Sequence, residues 1–309
     1  MQYVKPHYML AIGNVWFIAQ FWMLASLQTY HWSLALVALA WALNRTYYWT
    51  GFHYSFSSAR AHKHGGVQIA GVNALVILMA TSAPAVGGIV ATLFGIKYIY
   101  LTAIAFLVIA SVPMLSPNKG PAKVTLTMPW KEFLKMRRDA VANFFNGMII
   151  LAEQSIWPML VFLLVSSYAG IGLLSSVIAV ASIATTLYVG RKEEIRGEQH
   201  YIKRGLATYS LTSVGRALVQ NSSQVFGLNL LGGVGRSLYV TPFMNRYYSN
   251  SDGGHRLGYI TIMETAFSIG SVVYVAALLL LSAFLPVKTV LVIGLATVAI
   301  LVAGVRLIR

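Results

Sequence analysis

Five charged residues interrupt long apolar stretches, and they are the residues of this sequence best able to do chemistry: Arg45, Glu153, Arg216, Arg236 and Glu264. A charged side chain in the middle of a membrane-spanning helix costs about 2.5 to 3.5 kcal/mol on insertion scales. Such a residue indicates a function or an ion pair. These positions are therefore the first candidates for a functional site.

Glu153 lies near the middle of an apolar stretch, and Trp157 follows one helical turn later on the same face. A glutamate desolvated at that depth can take up and release a proton near neutral pH. We therefore predict Glu153 as a proton-coupling residue, with Gln154 and Trp157 beside it in a substrate cavity. The alternative is a structural ion pair with an arginine of another helix.

Arg45 lies within a polar and aromatic group of residues that suits a cavity wall better than a lipid-facing surface. The predicted cavity residues of this group are Arg45, Asn44, Tyr48 and Trp49. A purely structural role for Arg45 is the alternative.

The other charged positions favour structural or gating roles. Arg216 and Arg236 lie nearer the ends of their stretches, from which long side chains can reach the membrane surface. Glu264 lies on the cytoplasmic side of its stretch, so we expect an ion pair with Arg236, Arg246 or Arg256 that helps to set an inward gate.

The composition indicates a chain solvated mainly by lipid. Hydrophobic residues make up 57% of the 309 positions and charged residues 10%, whereas soluble proteins carry about 25% charged residues. The net charge of +15 does not indicate nucleic-acid binding, because the basic residues lie in short gaps between apolar stretches. There is no cysteine, and no histidines combine metal-ligand spacing with burial, so we predict neither a metal nor a cofactor.

Ten apolar stretches are long enough to cross a bilayer core about 30 Å thick, which needs about 20 helical residues. Because helices satisfy their own backbone groups in lipid, the sequence predicts an all-α polytopic membrane protein. The ten predicted spans are 8–27, 32–56, 68–94, 98–115, 142–166, 171–190, 202–220, 224–247, 259–284 and 287–307.

Lysine and arginine lie mostly on one side of this topology, as cytoplasmic loops require. Eighteen of them fall on the side that carries both chain ends, and only Lys97 and Lys288 fall on the other. We therefore predict a protein of the cytoplasmic membrane with both termini in the cytoplasm.

The longest gap, 116–141, contains three prolines and ends in a basic amphipathic run, 130–138. It predicts a cytoplasmic linker between two helical bundles, with the basic run on the inner leaflet among anionic lipids. The predicted domains are a bundle of four spans in 1–115, the linker in 116–141 and a bundle of six spans in 142–309.

Two bundles joined by a basic linker resemble the major facilitator superfamily (MFS) of transporters, in which six helices precede the linker and six follow. Aligned from the linker, the chain resembles helices 3–12 of the family and lacks the first two. A late start codon, a partner chain that supplies the missing helices, and a degenerate protein are the three explanations. A different ten-helix transporter built as five plus five would have its midpoint one span later.

Two motifs support the resemblance. Pro84, Gly87 and Gly88 resemble the end of the family's fifth-helix antiporter motif, although the same residues suit simple helix packing. The segment 190–197 resembles the loop between helices 8 and 9, with Glu194 in the acidic position and Arg196 among the cations. That resemblance implies a latch in which an acid at a helix terminus holds one access state closed; a solvated basic loop is the alternative.

The resemblance implies a secondary active transporter of a small organic solute that works by alternating access between two bundles. It also implies coupling to a proton or another ion, and the fifth-helix motif favours efflux by proton exchange. A non-transporting remnant or a membrane sensor is the main alternative. A membrane-embedded enzyme is disfavoured because no cluster of histidine and acidic residues lies at one interface, so we predict that the chain is not an enzyme.

Overall fold

The computed structural model of the chain is helical, and it describes residues 5–59, 65–115, 130–164, 168–252 and 255–308. No strand occurs among these residues. The helices are α1 Pro6–Ala25, the single turn α2 Leu27–Tyr30, α3 Leu34–Ala59, α4 Gly65–Phe94, α5 Ile96–Ser111 with a 3₁₀ turn Val112–Leu115, α6 Trp130–Leu151, a π turn Ala152–Ile156, α7 Trp157–Leu164, α8 Tyr168–Arg196, α9 Glu198–Ala217, α10 Ser222–Ser251, α11 Arg256–Ser282 and α12 Val287–Val305.

The long helical segments of the described chain coincide with the ten predicted spans, with α6, the π turn and α7 forming one segment. The predicted all-α polytopic membrane fold is confirmed. By length and composition alone, five described segments are apolar enough to cross a membrane: Pro6–Ala25, Ile96–Leu115, Leu134–Leu164, Arg256–Ser282 and Val287–Val305. The other long helices include those that carry Arg45, Arg216 and Arg236.

Two segments predicted as non-spanning surface elements are continuous with spanning helices. The basic run that begins at Trp130 forms the first turns of α6, and its location on the inner leaflet stays a prediction. Helix α8 extends to Arg196, and Gly197, with φ of 82°, makes the turn into α9. Hydrophobicity marks where a helix leaves lipid, but a helix can continue into water beyond that point. Residues 116–129 of the predicted linker lie outside the described residues.

Contacts divide the chain into two compact units, and the first comprises Met1–Arg60, Ala83–Pro129 and Ser251–Glu264. In this unit α1 packs against α3 and α5. The Asn44 side chain donates a hydrogen bond of 3.0 Å to the Gly13 carbonyl, and the Asn14 side chain donates one of 3.0 Å to the Ser111 hydroxyl. A Cβ at Gly13 would lie 2.8 Å from the backbone of Tyr48, so glycine is needed there for the two helices to approach.

The second unit comprises Ala61–Ser82, Trp130–Asn250 and Thr265–Arg309. In this unit α12 packs against α9 and α6. A Cβ at Gly147 of α6 would overlap the carbonyl of Phe267, and one at Gly270 of α11 would overlap the carbonyl of Phe144. Small residues therefore set the spacing of these helices, as is usual where lipid removes the hydrophobic driving force between them. The division into two bundles and a linker stays a prediction.

Candidate functional site

A buried ion pair lies in the second unit, where the π turn holds Glu153 against α9. The Glu153 carboxylate accepts hydrogen bonds from both Nη atoms of Arg216 and from the Tyr209 hydroxyl. The longer of the two arginine contacts, from Nη2 to Oε1, is 3.2 Å. The Glu153 side chain is 15% exposed and the Arg216 side chain 2%. Glu153 therefore has an arginine partner, which was the alternative interpretation of its sequence position.

The Arg216 guanidinium is enclosed by two aromatic rings and a glycine. It lies 4.7 Å from the centre of the Trp157 ring and 5.8 Å from that of Tyr209, which are cation–π distances. A Cβ at Gly232 of α10 would stand 3.0 Å from the central carbon of the guanidinium. The Arg216 side chain is thus enclosed by protein rather than extended toward an end of its helix, and a structural role for it stays a prediction. We call the group formed by Glu153, Tyr209, Trp157 and Arg216 the Glu153 cluster.

One face of α10 lines the Glu153 cluster with four residues at helical spacing: Asn229, Gly232, Arg236 and Tyr239. Asn229 Oδ1 accepts a hydrogen bond of 2.5 Å from the Trp157 indole N–H. The ring of Tyr239 meets that of Tyr209 edge-on, with 5.8 Å between centres. Arg236 lies between these two contacts along the face, and its charge attracts the carboxylate of the cluster.

Pro158 accounts for the π turn that presents Glu153. Proline has no N–H to donate to the carbonyl of Gln154, and its ring would collide with that carbonyl in a regular helix. The helix widens over Ala152–Ile156 as a result, and such turns are frequent at functional sites. Glu153 and Trp157 both contact Arg216, as their spacing predicts, whereas Gln154 is exposed.

A second charged cluster lies in the first unit and contains Glu264. Its Oε1 lies 3.3 Å from Nε2 of His53, which is 7% exposed. The His53 ring stacks on Trp49 with 5.4 Å between centres. Arg45 interacts electrostatically with both His53 and Glu264. Of the predicted cavity residues, Trp49 thus stacks on His53, and Arg45 interacts electrostatically with Glu264 of α11.

Among the described ion pairs Glu264 meets His53, and its expected pairing with Arg236, Arg246 or Arg256 stays a prediction. Arg246 lies 3.5 Å from Glu198. Arg256 lies 2.7 Å from Asp252. Arg236, the third of these arginines, lies on α10 and faces the Glu153 cluster. The histidine that Glu264 meets belongs to α3, and the one-dimensional pattern of spans does not specify which helices are neighbours.

The remaining predicted cavity residues contribute to packing. Asn44 is 7% exposed and its amide is bound to Gly13, so it serves helix packing rather than a cavity wall. Tyr48 packs against the same glycine and stacks on Phe52 with 6.3 Å between ring centres.

The end of α8 meets the start of α4 through Glu193, one residue before the predicted Glu194. Glu193 is 2% exposed, and its carboxylate abuts Gly66 in the first turn of α4. A carboxylate is favoured there because the first turn of a helix exposes N–H groups at the positive end of the helix dipole. The acid at the helix terminus is thus Glu193. The side chains of Glu194 and Arg196 lie outside the described residues.

The glycines of the antiporter-like motif are not closely packed. A Cβ at Gly88 would meet nothing within 4 Å, and one at Gly87 would touch only Ile99, at 3.9 Å. The described residues therefore show no close helix contact at these two glycines, and the packing interpretation stays a prediction. The side chain of Pro84 lies outside the described residues, and the antiporter interpretation stays a prediction.

Three residues of these sites escaped the sequence-based prediction: Tyr209, His53 and Glu193. Tyr209 precedes Arg216 by two helical turns, and His53 follows Arg45 by about two turns, so helical spacing could have found both. No sequence signal distinguishes Glu193 from its neighbour. Among the described residues, no three histidine, aspartate or glutamate side chains converge on a metal position.

Solved transporter structures share this fold. The human organic anion transporter MFSD10 (TETRAN) matches with a TM-score of 0.65 and 12% identity, over 99% of this chain and 77% of its own. The E. coli fucose:proton symporter FucP matches with a TM-score of 0.65 and 13% identity, over 100% of this chain and 85% of its own. FucP in the outward conformation matches with a TM-score of 0.61 and 12% identity, over 99% of this chain and 83% of its own.

The chain therefore has the fold of major facilitator superfamily transporters, as its motifs and layout predict. No protein-family model and no curated protein matches the chain.

Proposed function

We propose that this chain is a secondary active transporter that moves a small organic solute across the cytoplasmic membrane by alternating access. The shared fold supports the proposal, and one of the structural neighbours is a fucose:proton symporter. The observation that carries it is the buried pair of Glu153 and Arg216. Burying two charges in a helical bundle rarely improves stability over apolar packing, so such a pair indicates a function.

Glu153 is the residue that couples proton movement to solute movement in this proposal. While charged, it neutralises Arg216 and accepts a further hydrogen bond from Tyr209. When Glu153 takes up a proton, Arg216 loses its counter-charge and can bind the solute through charge-assisted hydrogen bonds. Departure of the solute restores the ion pair and releases the proton. The two binding events are thus linked through one guanidinium.

This linkage favours transport of proton and solute in the same direction, because both are bound at the same time. Efflux by exchange of solute for proton is the second candidate, and it is supported by the resemblance of Pro84, Gly87 and Gly88 to an antiporter motif. The two candidates differ in the sign of the pH change that accompanies solute movement.

Two contacts are proposed to control access. In the second unit, Glu193 at the first turn of α4 provides an acid-to-helix latch between α8 and α4. In the first unit, Glu264 and His53 join α11 to α3. An inside location of both termini is proposed from the excess of lysine and arginine on one side of the spans.

The test uses the purified protein in lipid vesicles that enclose a pH-sensitive dye. A panel of small carboxylates, sugars and amines is added outside, and the internal pH is followed with wild type, Glu153→Gln and Asp252→Asn, which removes an acid elsewhere. Cotransport acidifies the lumen when solute enters, whereas exchange makes it alkaline.

We expect at least one solute to change the internal pH with wild type and with Asp252→Asn, and no solute to do so with Glu153→Gln. A wild-type protein that moves none of the solutes would overturn the transporter proposal. A Glu153→Gln protein that retains the pH change would remove Glu153 from the coupling role.

A further inference from the structure

The Glu153 cluster and the adjoining face of α10 carry more positive than negative charge. Glu153 is the only acid there among the described residues, whereas Arg216 and Arg236 are two bases. Within the described part of the chain, Arg236 forms no ion pair with an acid. Arg236 is half-buried, so its charge adds to that of Arg216 beside the cluster. Binding of one anionic group would therefore neutralise the excess positive charge of the site.

Two buried donors of the same site also have no acceptor among the described residues. The Nε–H of Arg216 is one, and the hydroxyl of Tyr239, a residue 0% exposed, is the other. Buried polar groups are nearly always hydrogen-bonded. Two unused donors beside the charges of Arg216 and Arg236 therefore suit a ligand that accepts hydrogen bonds and carries negative charge.

The positions of these groups are compatible with one shared ligand. Gly232 brings α10 against the guanidinium of Arg216, and Arg236 and Tyr239 follow Gly232 on the same face at one and two helical turns. Glu153 is 15% exposed, so the cluster is accessible from the side of its carboxylate. The Trp157 ring supplies an apolar surface beside the charged groups.

We infer that the solute is an organic anion whose carboxylate, or an equivalent anionic group, binds among Arg216, Arg236 and Tyr239. This inference rests on the proposed transport function and specifies its substrate class. A cationic solute would add a third positive charge to the site, and a neutral one would leave Arg236 unpaired. Protonation of Glu153 strengthens anion binding, because it removes the negative charge that competes for Arg216.

The experiment measures binding separately from transport. Thermal unfolding of the purified protein in lipid nanodiscs is recorded with two matched sets of probes, benzoate with benzylamine and benzyl alcohol, and hexanoate with hexylamine and hexanol. Each set holds the carbon skeleton nearly constant while its charge changes. The variants are Arg236→Gln and, as the matched control, Arg204→Gln, which removes an exposed arginine of α9.

We expect at least one carboxylate to raise the unfolding temperature in wild type and in Arg204→Gln, with no effect of the matching amine or alcohol. Arg236→Gln should weaken the apparent affinity for that carboxylate by about tenfold or more, which is the loss of one hydrogen bond to a charged group. Binding should strengthen as the pH falls through the range in which Glu153 takes up its proton.

The inference is overturned if no carboxylate binds, if an amine or alcohol binds as well as its carboxylate, or if Arg236→Gln and Arg204→Gln behave alike. The outcomes that contradict the proposed function differ from those that contradict the anion site. Carboxylate binding that depends on Arg236 but moves no proton or solute in vesicles would support the anion site and contradict transport. Transport of amines or sugars without any carboxylate would support the transport function and contradict the anion site.

Discussion

Arg216 and Glu153 each compensate the other's charge inside the protein. The Arg216 side chain is 2% exposed, and its only described acidic partner is Glu153. Tyr209 and Trp157 complete the surroundings without supplying charge. Replacing one partner by a neutral residue leaves the other charge uncompensated in a site of low dielectric. Replacing both removes the two charges together and changes only how the side chains pack. The two side chains should therefore behave as a unit in any stability measurement.

Arg216→Gln should lower the free energy of unfolding by about 3 to 5 kcal/mol, the usual loss when one partner of a buried ion pair is removed. The double variant Glu153→Gln/Arg216→Gln should recover a large part of that loss, because neither member of the pair is left charged without the other. The measurement is unfolding of the purified protein in mixed micelles of increasing denaturing detergent. Losses that simply add in the double variant would show that the two side chains do not interact.

Gly232 makes room for the guanidinium, and its substitution tests the geometry of the cluster without removing any charge. In Gly232→Ala the new Cβ would stand 3.0 Å from the central carbon of the guanidinium, so Arg216 must move and its contact with Glu153 must weaken. Solute-dependent pH change in vesicles should fall at least about tenfold, as expected for loss of a charge-assisted hydrogen bond. Gly227→Ala is the matched control on α10, because a Cβ there meets nothing within 4 Å. Equal activity of the two variants would contradict the described geometry.

At the scale of elements, the π turn Ala152–Ile156 is what brings an acid and an aromatic ring to the same arginine. The wider turn shifts the residues that follow it relative to those before it, so the direction of Glu153 depends on Pro158 as well as on its own position. The shape of this element thus depends on a proline that is not a member of the Glu153 cluster.

The contact between α4 and α8 also depends on one small residue. A Cβ at Gly66 would overlap the Glu193 carboxylate and lie 3.0 Å from the Gly190 carbonyl oxygen, so Gly66→Ala should separate the two helices. The chain has no cysteine, and Ala70, which is 1% exposed, can be replaced by one as a reporter. We expect faster thiol labelling at position 70 in Gly66→Ala. Gly71→Ala, with nothing within 4 Å of its Cβ, should leave the rate unchanged, and a similar rise in both variants would argue against a local latch.

At the scale of the whole molecule, the number and order of helices were predictable because bilayer thickness fixes the length of a span. The ends of α6 and α8 were not, since water permits a helix to continue beyond the lipid. Glu153 was predictable as an unusual residue, but its partner was not. Arg45, Arg216 and Arg236 all lie within predicted spans, and only the packing of α9 selects Arg216. The partner of Glu264 escaped prediction for the same reason.

Membrane orientation is a prediction of the charge distribution and can be tested on the cysteine-free background. Single cysteines at Lys97 and Lys288 should react with an impermeant thiol reagent added to intact cells. Cysteines at Arg191 and Arg204 should react only after the membrane is opened, because cytoplasmic loops hold the excess of lysine and arginine. Labelling of all four positions from the same side would contradict the proposed topology.

The most direct test of the account compares two modes of movement of a radiolabelled solute in vesicles that contain Glu153→Gln. Exchange of internal for external solute at equal pH needs no net proton transfer, so the variant should perform it at a rate near that of wild type. Accumulation driven by a pH gradient should be lost, because the residue that carries the proton is gone. Accumulation at the wild-type level in Glu153→Gln would contradict the central role assigned to the Glu153–Arg216 pair.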